Sequence, residues 1–304
     1  MSNDAFQQTP EPLQASPFLM RTEALLGAAV LQRLQALHIL VVGVGAVGGA
    51  CAEALARSGI GRLTVVDGDV FEATNLNRQP FAAHSVVGQP KTDVTVQQLR
   101  DLAPTCVVAG SCQFITEASV EALLESVAPD AVVDAIDDLP AKVALLERCV
   151  QRGLPVWSAM GAARKLDPLA FNVTDLSKTQ VCPLARQVRQ TLRQRGVTKG
   201  VRCVWSSEPA QPLHNGVLGS YMPVTATAGL VLAADVIRFY AYLKELRDVQ
   251  RVNLRDRPLG ECNDAPRDNA GSQPSRLACP TQGWGAHRHH LARHLSRCAI
   301  GFAR

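Results

Sequence analysis

No C-x-x-C pair occurs anywhere in the 304 residues, and the nine cysteines, at positions 51, 106, 112, 149, 182, 203, 262, 279 and 298, are odd in number. A zinc module organised by paired C-x-x-C motifs is thereby excluded, as is a fully paired disulfide framework. Several of these cysteines fall inside apolar segments and read as reduced core residues. Charge is also scarce. The formal net charge of +4 is too small to demand a nucleic acid partner, although it leaves room for a local basic face. The first seventeen residues are polar, carry Asp4 and Glu11 and contain no apolar h-region, so no secretory signal is read and a cytoplasmic location is expected. Long apolar runs are nearly absent. The exception, 224–246 (VTATAGLVLAADVIRFYAYLKEL), has the length of a membrane span but contains Asp235 and Arg238. Two charges at i, i+3 are costly in lipid and can pair on a helix surface, so a buried core helix is the expectation and peripheral membrane association the alternative.

What the chain does have is concentrated in 38–91. An apolar strand-like run, 38–42, breaks into Gly43-x-Gly45-x-x-Gly48, and the small-residue segment 48–58 reads as a helix closed by Gly59. Strand, glycine turn and helix together make a phosphate site. A Cβ in the turn would block the approach of phosphate, and the helix N-terminus supplies unpaired N–H groups and a favourable dipole. A second strand, 62–66, delivers Asp67 where a carboxylate can accept hydrogen bonds from ribose hydroxyls. Taken alone, this fingerprint suits a nicotinamide oxidoreductase. The polar cluster that follows, Asp69, Asn75, Asn77, Arg78, Gln79 and Lys91, suits a triphosphate better than a nicotinamide ring. The segment AVVDAIDD (131–138) places Asp134 and Asp137 at the end of another strand, where a carboxylate can hold Mg²⁺. Asp137 and Asp138 equally suit the capping of a helix that starts near Pro140.

Around this centre, helices are expected over 21–37, 92–102, 119–127 and 141–151, and strands over 106–109, 131–135 and 155–159. The alternation implies a Rossmann-like, doubly wound, mostly parallel α/β sheet. After Gly161 it gives way to strands at 171–174 and 202–205 separated by a helix at 183–194, read as a smaller mixed α/β half. The organisation expected is a flexible 1–17, an ATP-binding half 18–160, an acceptor half 161–246 and a disordered tail 247–304. That tail is rich in Pro, Gly, Asn, Arg and Ser. Its Cys279, His287, His289, His290, His294 and Cys298 match no closed zinc spacing. In the acceptor half, Arg186, Arg189, Arg193, Arg195, Lys199 and Arg202 are accompanied by a single nearby acid, Glu208. They suit phosphate-backbone contacts and equally a solvated face.

The segments VVGVGAVGG, VVDGDVFEATNLNRQ, VGQPK and VDAIDD, in this order and spacing, resemble the ubiquitin-activating-enzyme-like adenylyltransferases. With RTEALLG (21–27), ARSGIG (57–61 and its flank), VTDLSKT (173–179) and CVWSSEP (203–209), the chain is most similar within that group to the tRNA threonylcarbamoyladenosine dehydratases. Residues 18–246 carry the resemblance.

The resemblance implies that ATP is bound by Gly43, Gly45 and Gly48 with Asp67, Asp69, Asn75 and Gln79. It implies that Arg78, Lys91 and Mg²⁺ on Asp137 neutralise charge as the threonyl carboxylate of the modified adenosine attacks the α-phosphorus, and that the acyl-adenylate then cyclises with loss of AMP. It further implies a homodimer in which Arg21 enters the partner's ATP site, tRNA as the acceptor and association with cysteine desulfurase systems. The need for a monovalent cation is left open. The alternative within the group is activation of a ubiquitin-like sulfur carrier, against which the missing zinc cysteines count. Cys182 stands where the family usually has aspartate. It invites a nucleophile reading, but no Cys–His–Asp constellation accompanies it.

Overall fold

The computed structural model describes residues 17–255, with side chains described as far as Tyr242. Two short helices, α1 (Met20–Leu26) and α2 (Ala28–Gln35), lead into β1 (His38–Val42), α3 (Ala46–Arg57), β2 (Arg62–Asp67), α4 (Lys91–Leu102) and β3 (Val107–Cys112). Then follow α5 (Val120–Val127), β4 (Ala131–Asp134), α6 (Leu139–Gln151), β5 (Val156–Ala159), β6 (Phe171–Asp175), α7 (Pro183–Gln194), β7 (Val201–Ser206) and α8 (Met222–Arg255). The strands form one seven-stranded sheet in the order β3-β2-β1-β4-β5-β7-β6. All neighbours are parallel except β6, which runs antiparallel to β7.

The sequence explains the layers. All five residues of β1 are buried, because a central parallel strand is covered on both faces. Ile39 and Val41 belong to one apolar core together with Cys51 and Leu55 of α3, Leu99 of α4 and Leu232 and Val236 of α8. Leu40 and Val42 belong to a second core with Leu124 of α5, Leu145 of α6 and Val188 of α7. The period-2 alternation of the strand thus divides one apolar run between two faces. Chain direction across the sheet reverses beside β1, whose neighbours are β2 and β4. That is where open α/β sheets hold ligands, outside the carboxyl ends of the strands.

Three expectations need correction. The single helix over 21–37 is two, broken at Gly27, whose φ of 85° and ψ of 150° lie outside helical space and are readily reached only by glycine. Within that segment Leu25 is 83% exposed, while Leu31 and Leu34 carry the burial. The apolar helix of the second half does not stop at Leu246 but continues to Arg255. The remainder of the segment read as a disordered tail, with its Cys279–Cys298 cluster, lies outside the described residues, as does most of the flexible 1–17. Asp235 does not pair with Arg238. It takes Arg202 on β7, Nε to Oδ2 at 2.7 Å, and the Trp157 indole N–H on β5 at 2.8 Å.

Helix α8 is, over Met222–Tyr242, long and apolar enough to cross a membrane by length and composition. In this fold Val224, Ala228, Leu232 and Val236 are buried. Gly229 seats it on α3, since a Cβ there would lie 2.3 Å from the Val47 carbonyl oxygen. Gly229→Ala should therefore overpack the seam and lower stability by about 1–3 kcal/mol in urea unfolding, and an unchanged midpoint would contradict this packing.

Candidate nucleotide site

The turn after β1 is shaped by two glycines for different steric reasons. Gly43 has a φ of 85°, and a Cβ on it would meet the Ala135 carbonyl oxygen at 2.7 Å. A Cβ on Gly48 would overlap the Gly43 carbonyl oxygen at 1.8 Å, so Gly48 is what lets α3 start against the strand. Gly45 differs. Only the Gln79 side chain comes near its absent Cβ, at 3.7 Å, leaving open space above the turn.

Asp67, at the end of β2, is locked beside that turn by two backbone donors. Val44 N–H donates to Oδ2 at 2.8 Å and Asp69 N–H to Oδ1 at 2.9 Å. Each oxygen keeps a lone pair for a further donor. Asp69 in turn holds the first residue of α4, its carbonyl accepting from the Lys91 backbone N–H and its Oδ2 lying 2.8 Å from Lys91 Nζ. Lys91 is 7% exposed, yet its ammonium carries three protons, of which Asp69 takes one.

Between these elements the loop 72–79 is self-braced. Asn75 Oδ1 accepts from Glu72 N–H at 3.1 Å, and Arg78 Nη1 donates to the Thr74 carbonyl at 2.7 Å and to Asn77 Oδ1 at 3.0 Å. Gln79 is 7% exposed and its Oε1 is buried without a hydrogen-bond partner. A buried amide oxygen with no donor is costly, and it is the amide nitrogen of the same side chain, Nε2, that faces the open side of Gly45, 3.7 Å from its absent Cβ.

The acidic strand end resolves into three roles. Asp134 is fully buried, with Lys142 Nζ at 2.6 Å and Ser158 Oγ at 2.5 Å from its Oδ2. It is structural and unavailable to a metal, which corrects its place as a candidate beside Asp137. Asp138 caps α6, accepting from Ala141 N–H at 2.9 Å. Asp137 is exposed and its carboxylate has no partner among the described residues. Lys142 and Ser158 went unnoticed in the sequence because neither carries a pattern. Their partner Asp134 converts them from polar residues in apolar elements into one buried network.

Other sequence candidates separate from this centre. Arg21 lies on α1, and the preceding Leu19 packs at Gly59, beyond the C-terminal end of α3. With twelve residues in α3, that is ~18 Å along the helix from the glycine turn. The basic stretch is less free than its sequence implies. Arg189 donates to the Thr179 carbonyl at 3.0 Å, Arg195 bridges Glu117 and Glu147 at 2.9 Å each, and Arg202 pairs with Asp235. Glu208 is therefore not the only nearby acid, because folding brings Glu117 from the turn before α5, Glu147 from α6 and Asp235 from α8. Arg186, Arg193 and Lys199 stay exposed.

The six described cysteines are free, and five are buried. Burial pushes the Cys106 thiol up to about 12 and raises Cys51, Cys149 and Cys203 further. Cys182 is 3% exposed beneath Gly161, whose Cβ position lies 3.5 Å from its Sγ, so it sits as a core residue at the start of α7.

The adenylyltransferase-like arrangement has counterparts in known proteins. The chain is 43% identical over 254 residues to the tRNA threonylcarbamoyladenosine dehydratase of Bacillus subtilis (strain 168), covering 78% of this chain and 98% of that one. Against the adenylyltransferase and sulfurtransferase MOCS3 of Bos taurus it is 37% identical over 127 residues, 42% of this chain and 28% of that one. The crystal structure of E. coli tRNA N6-threonylcarbamoyladenosine dehydratase in complex with ATP superposes with a TM-score of 0.72 at 36% identity, covering 77% of this chain and 99% of that chain. The model of the ThiF family matches residues 19–268, so this chain belongs to the ThiF family.

Proposed function

We propose that this protein uses ATP to dehydrate N6-threonylcarbamoyladenosine in tRNA to its cyclic form. The observation that carries the reading is extent taken with identity. The B. subtilis dehydratase is matched over 98% of its length at 43%, whereas the vegetative HesA protein of Trichormus variabilis is matched over 84% at 26% and MOCS3 of Sus scrofa over 43% at 34%. The site suits the chemistry. The glycine turn and the start of α3 receive phosphate, Asp67 retains lone pairs for ribose hydroxyls, and Gln79 Nε2 faces the open side of Gly45. Arg78 and Lys91 supply positive charge. The acceptor carboxylate oxygen bonds to the α-phosphorus as the bond to pyrophosphate breaks, and a nucleophile within the carbamoyl-adenosine then displaces AMP to close the ring. The protein's part is to orient the reactants and offset developing charge, without a covalent intermediate.

Mg²⁺ fits this donor set in one mode. No cluster of three or more His, Cys, Asp or Glu side chains occurs among the described residues. A single free carboxylate, Asp137, matches the habit of Mg²⁺ to bind through one or two carboxylates plus substrate phosphates. Held there, the ion would neutralise triphosphate charge.

The deciding experiment is pyrophosphate exchange into ATP with each acceptor. tRNA carrying threonylcarbamoyladenosine should switch exchange on and yield AMP with a nucleoside lighter by one water. A carrier protein ending in Gly-Gly should not. The reverse result would move the protein to sulfur-carrier activation. With Arg186, Arg193 and Lys199 exposed and not held by a carboxylate among the described residues, the salt dependence of tRNA binding should fall by roughly 0.7–0.9 in log–log slope for each phosphate contact removed by mutation to Ala.

The homodimer belongs to the same proposal, supported by the position of Arg21. An arginine ~18 Å along α3 from its own turn is too distant to reach it, whereas a second copy could present it to the neighbouring site. Mixing inactive Arg21→Ala with inactive Lys91→Ala protein should restore part of the activity, because some heterodimers contain one intact site. Absence of recovery despite demonstrated subunit exchange would count against it. A cytoplasmic setting is part of the proposal, and the free thiols of the six described cysteines are compatible with it.

A further inference from the structure

A concavity adjoins the loop 72–79 through the bond from Asn77 to Ser220. The cavity, about 240 Å³, lies between the segment 164–166 and the loop 211–221, and its lining includes Arg164, Lys165, His214, Ser220 and Tyr221. It is built rather than incidental. Arg164 N–H donates to the Gly219 carbonyl at 2.8 Å while its own carbonyl accepts from Gln211 N–H at 2.8 Å, clasping the loop at both ends. The clasp requires a φ of 58° at Arg164, a left-handed conformation unusual for a residue with a side chain. Tyr221 closes the rim, its hydroxyl donating to the Leu166 carbonyl at 2.6 Å. Ser220 joins the cavity to the phosphate-binding loop, its carbonyl accepting from Asn77 Nδ2 at 2.9 Å.

The cavity wall is mostly apolar, with Leu166, Pro212, Val217 and Tyr221 in it, and two cations are set into that wall. Lys165 is 3% exposed, and its ammonium donates to the Glu208 backbone carbonyl, not to a carboxylate. The Glu208 carboxylate is occupied instead by the Leu166 and Asp167 N–H groups at 3.0 Å. A buried cation with protons to spare and no carboxylate in contact favours an anionic ligand. The guanidinium of Arg164 has no partner among the described residues and stands with Tyr221 and His214, flat groups of the kind on which an unstacked nucleobase packs.

We propose that this cavity is the acceptor pocket, taking a purine flipped out of the tRNA between Arg164 and Tyr221 and its appended carboxylate on Lys165. The proposal rests on the function argued above and adds to it the residues that select a carboxylate-bearing purine. Enzymes that act on a base within a structured nucleic acid extrude it into a pocket of this kind. Lys165 positions the carboxylate beside the loop that carries Arg78 and Gln79. Arg164 and Tyr221 hold the ring.

The test uses the full chain with a non-hydrolysable ATP analogue and two probes, free threonylcarbamoyladenosine and its carboxamide analogue. The unaltered protein should bind the acid about tenfold more tightly than the carboxamide, the discrimination expected of one charge-assisted contact. Lys165→Met should bind the two equally while binding the ATP analogue normally. Arg164→Asn, a residue tolerant of the left-handed region, should weaken both nucleosides alike and raise KM for modified tRNA without changing affinity for the ATP analogue. If either variant fails to fold, the other still decides the case. Preference for the acid retained in Lys165→Met, or nucleoside binding unchanged in Arg164→Asn, would overturn the pocket. If the unaltered protein binds neither nucleoside and makes no AMP with modified tRNA, the function reading fails and takes the pocket with it. Turnover of modified tRNA with unaltered KM in both variants would sink the pocket alone.

Discussion

Asp137→Ala should fold normally and lose Mg²⁺-dependent AMP formation, with turnover falling by at least about 10²-fold, the scale on which removal of one positioned charge-stabilising group is felt. The carboxylate is exposed and has no protein partner among the described residues, so deleting it breaks no bond that supports the fold. Its neighbour supplies the control. Asp138 is bonded to Ala141 N–H as the cap of α6, and Asp138→Ala should lower stability by about 1 kcal/mol while leaving the Mg²⁺ dependence of turnover as it was. Two adjacent aspartates would then separate, one affecting activity without stability and the other the reverse. Near-normal turnover in folded Asp137→Ala would remove the metal assignment.

Lys142→Met should be among the most destabilising single changes in the molecule. Asp134 and Lys142 are both at 0% side-chain exposure, 2.6 Å apart, and the substitution leaves an uncompensated carboxylate between β4 and α6. Breaking one side of such a pair costs about 3–5 kcal/mol, whereas replacing both partners with groups of similar shape is often close to neutral. Asp134→Asn combined with Lys142→Met should therefore recover much of what the single change loses, with Ser158 Oγ and Ile136 N–H still available to the asparagine. Urea unfolding of the three proteins measures both effects. A Lys142→Met midpoint equal to that of the unaltered chain would show that the pair contributes nothing.

How much of this was readable beforehand depended on whether the signal was local. Gly43, Gly48 and Asp67 were legible as a turn because one turn confines them to neighbours in sequence. The clashes a Cβ would make at Gly43 and Gly48, however, are with the Ala135 and Gly43 carbonyls, so strand–helix packing and not phosphate approach is what excludes a side chain there. Helix α7 was legible at both ends, since Pro183 opens it and its apolar positions repeat at helical spacing. The break at Gly27 was not, because a glycine inside an apolar periodicity is tolerated by helices and only its φ distinguishes a break. The charge assignments failed for a different reason. Arg195 reads as a free cation until α5 and α6 and their flanks bring Glu117 and Glu147 to it, and Asp235 reads as the partner of Arg238 until β5 and β7 present Trp157 and Arg202. Pairings across elements are fixed by topology, which short-range patterns do not encode.

The bond from Asn77 to Ser220 gives the two binding regions a common thermodynamic account. Under the proposed function, a ligand that shifts Asn77 in the loop 72–79 also shifts Ser220 on the wall of the neighbouring cavity, so the two regions are coupled through that bond. Coupling of this sort is reciprocal. Whatever factor ATP adds to the affinity for the acceptor, the acceptor must add to the affinity for ATP, and Asn77→Ala should reduce both factors together while altering neither ligand's affinity alone by a comparable amount.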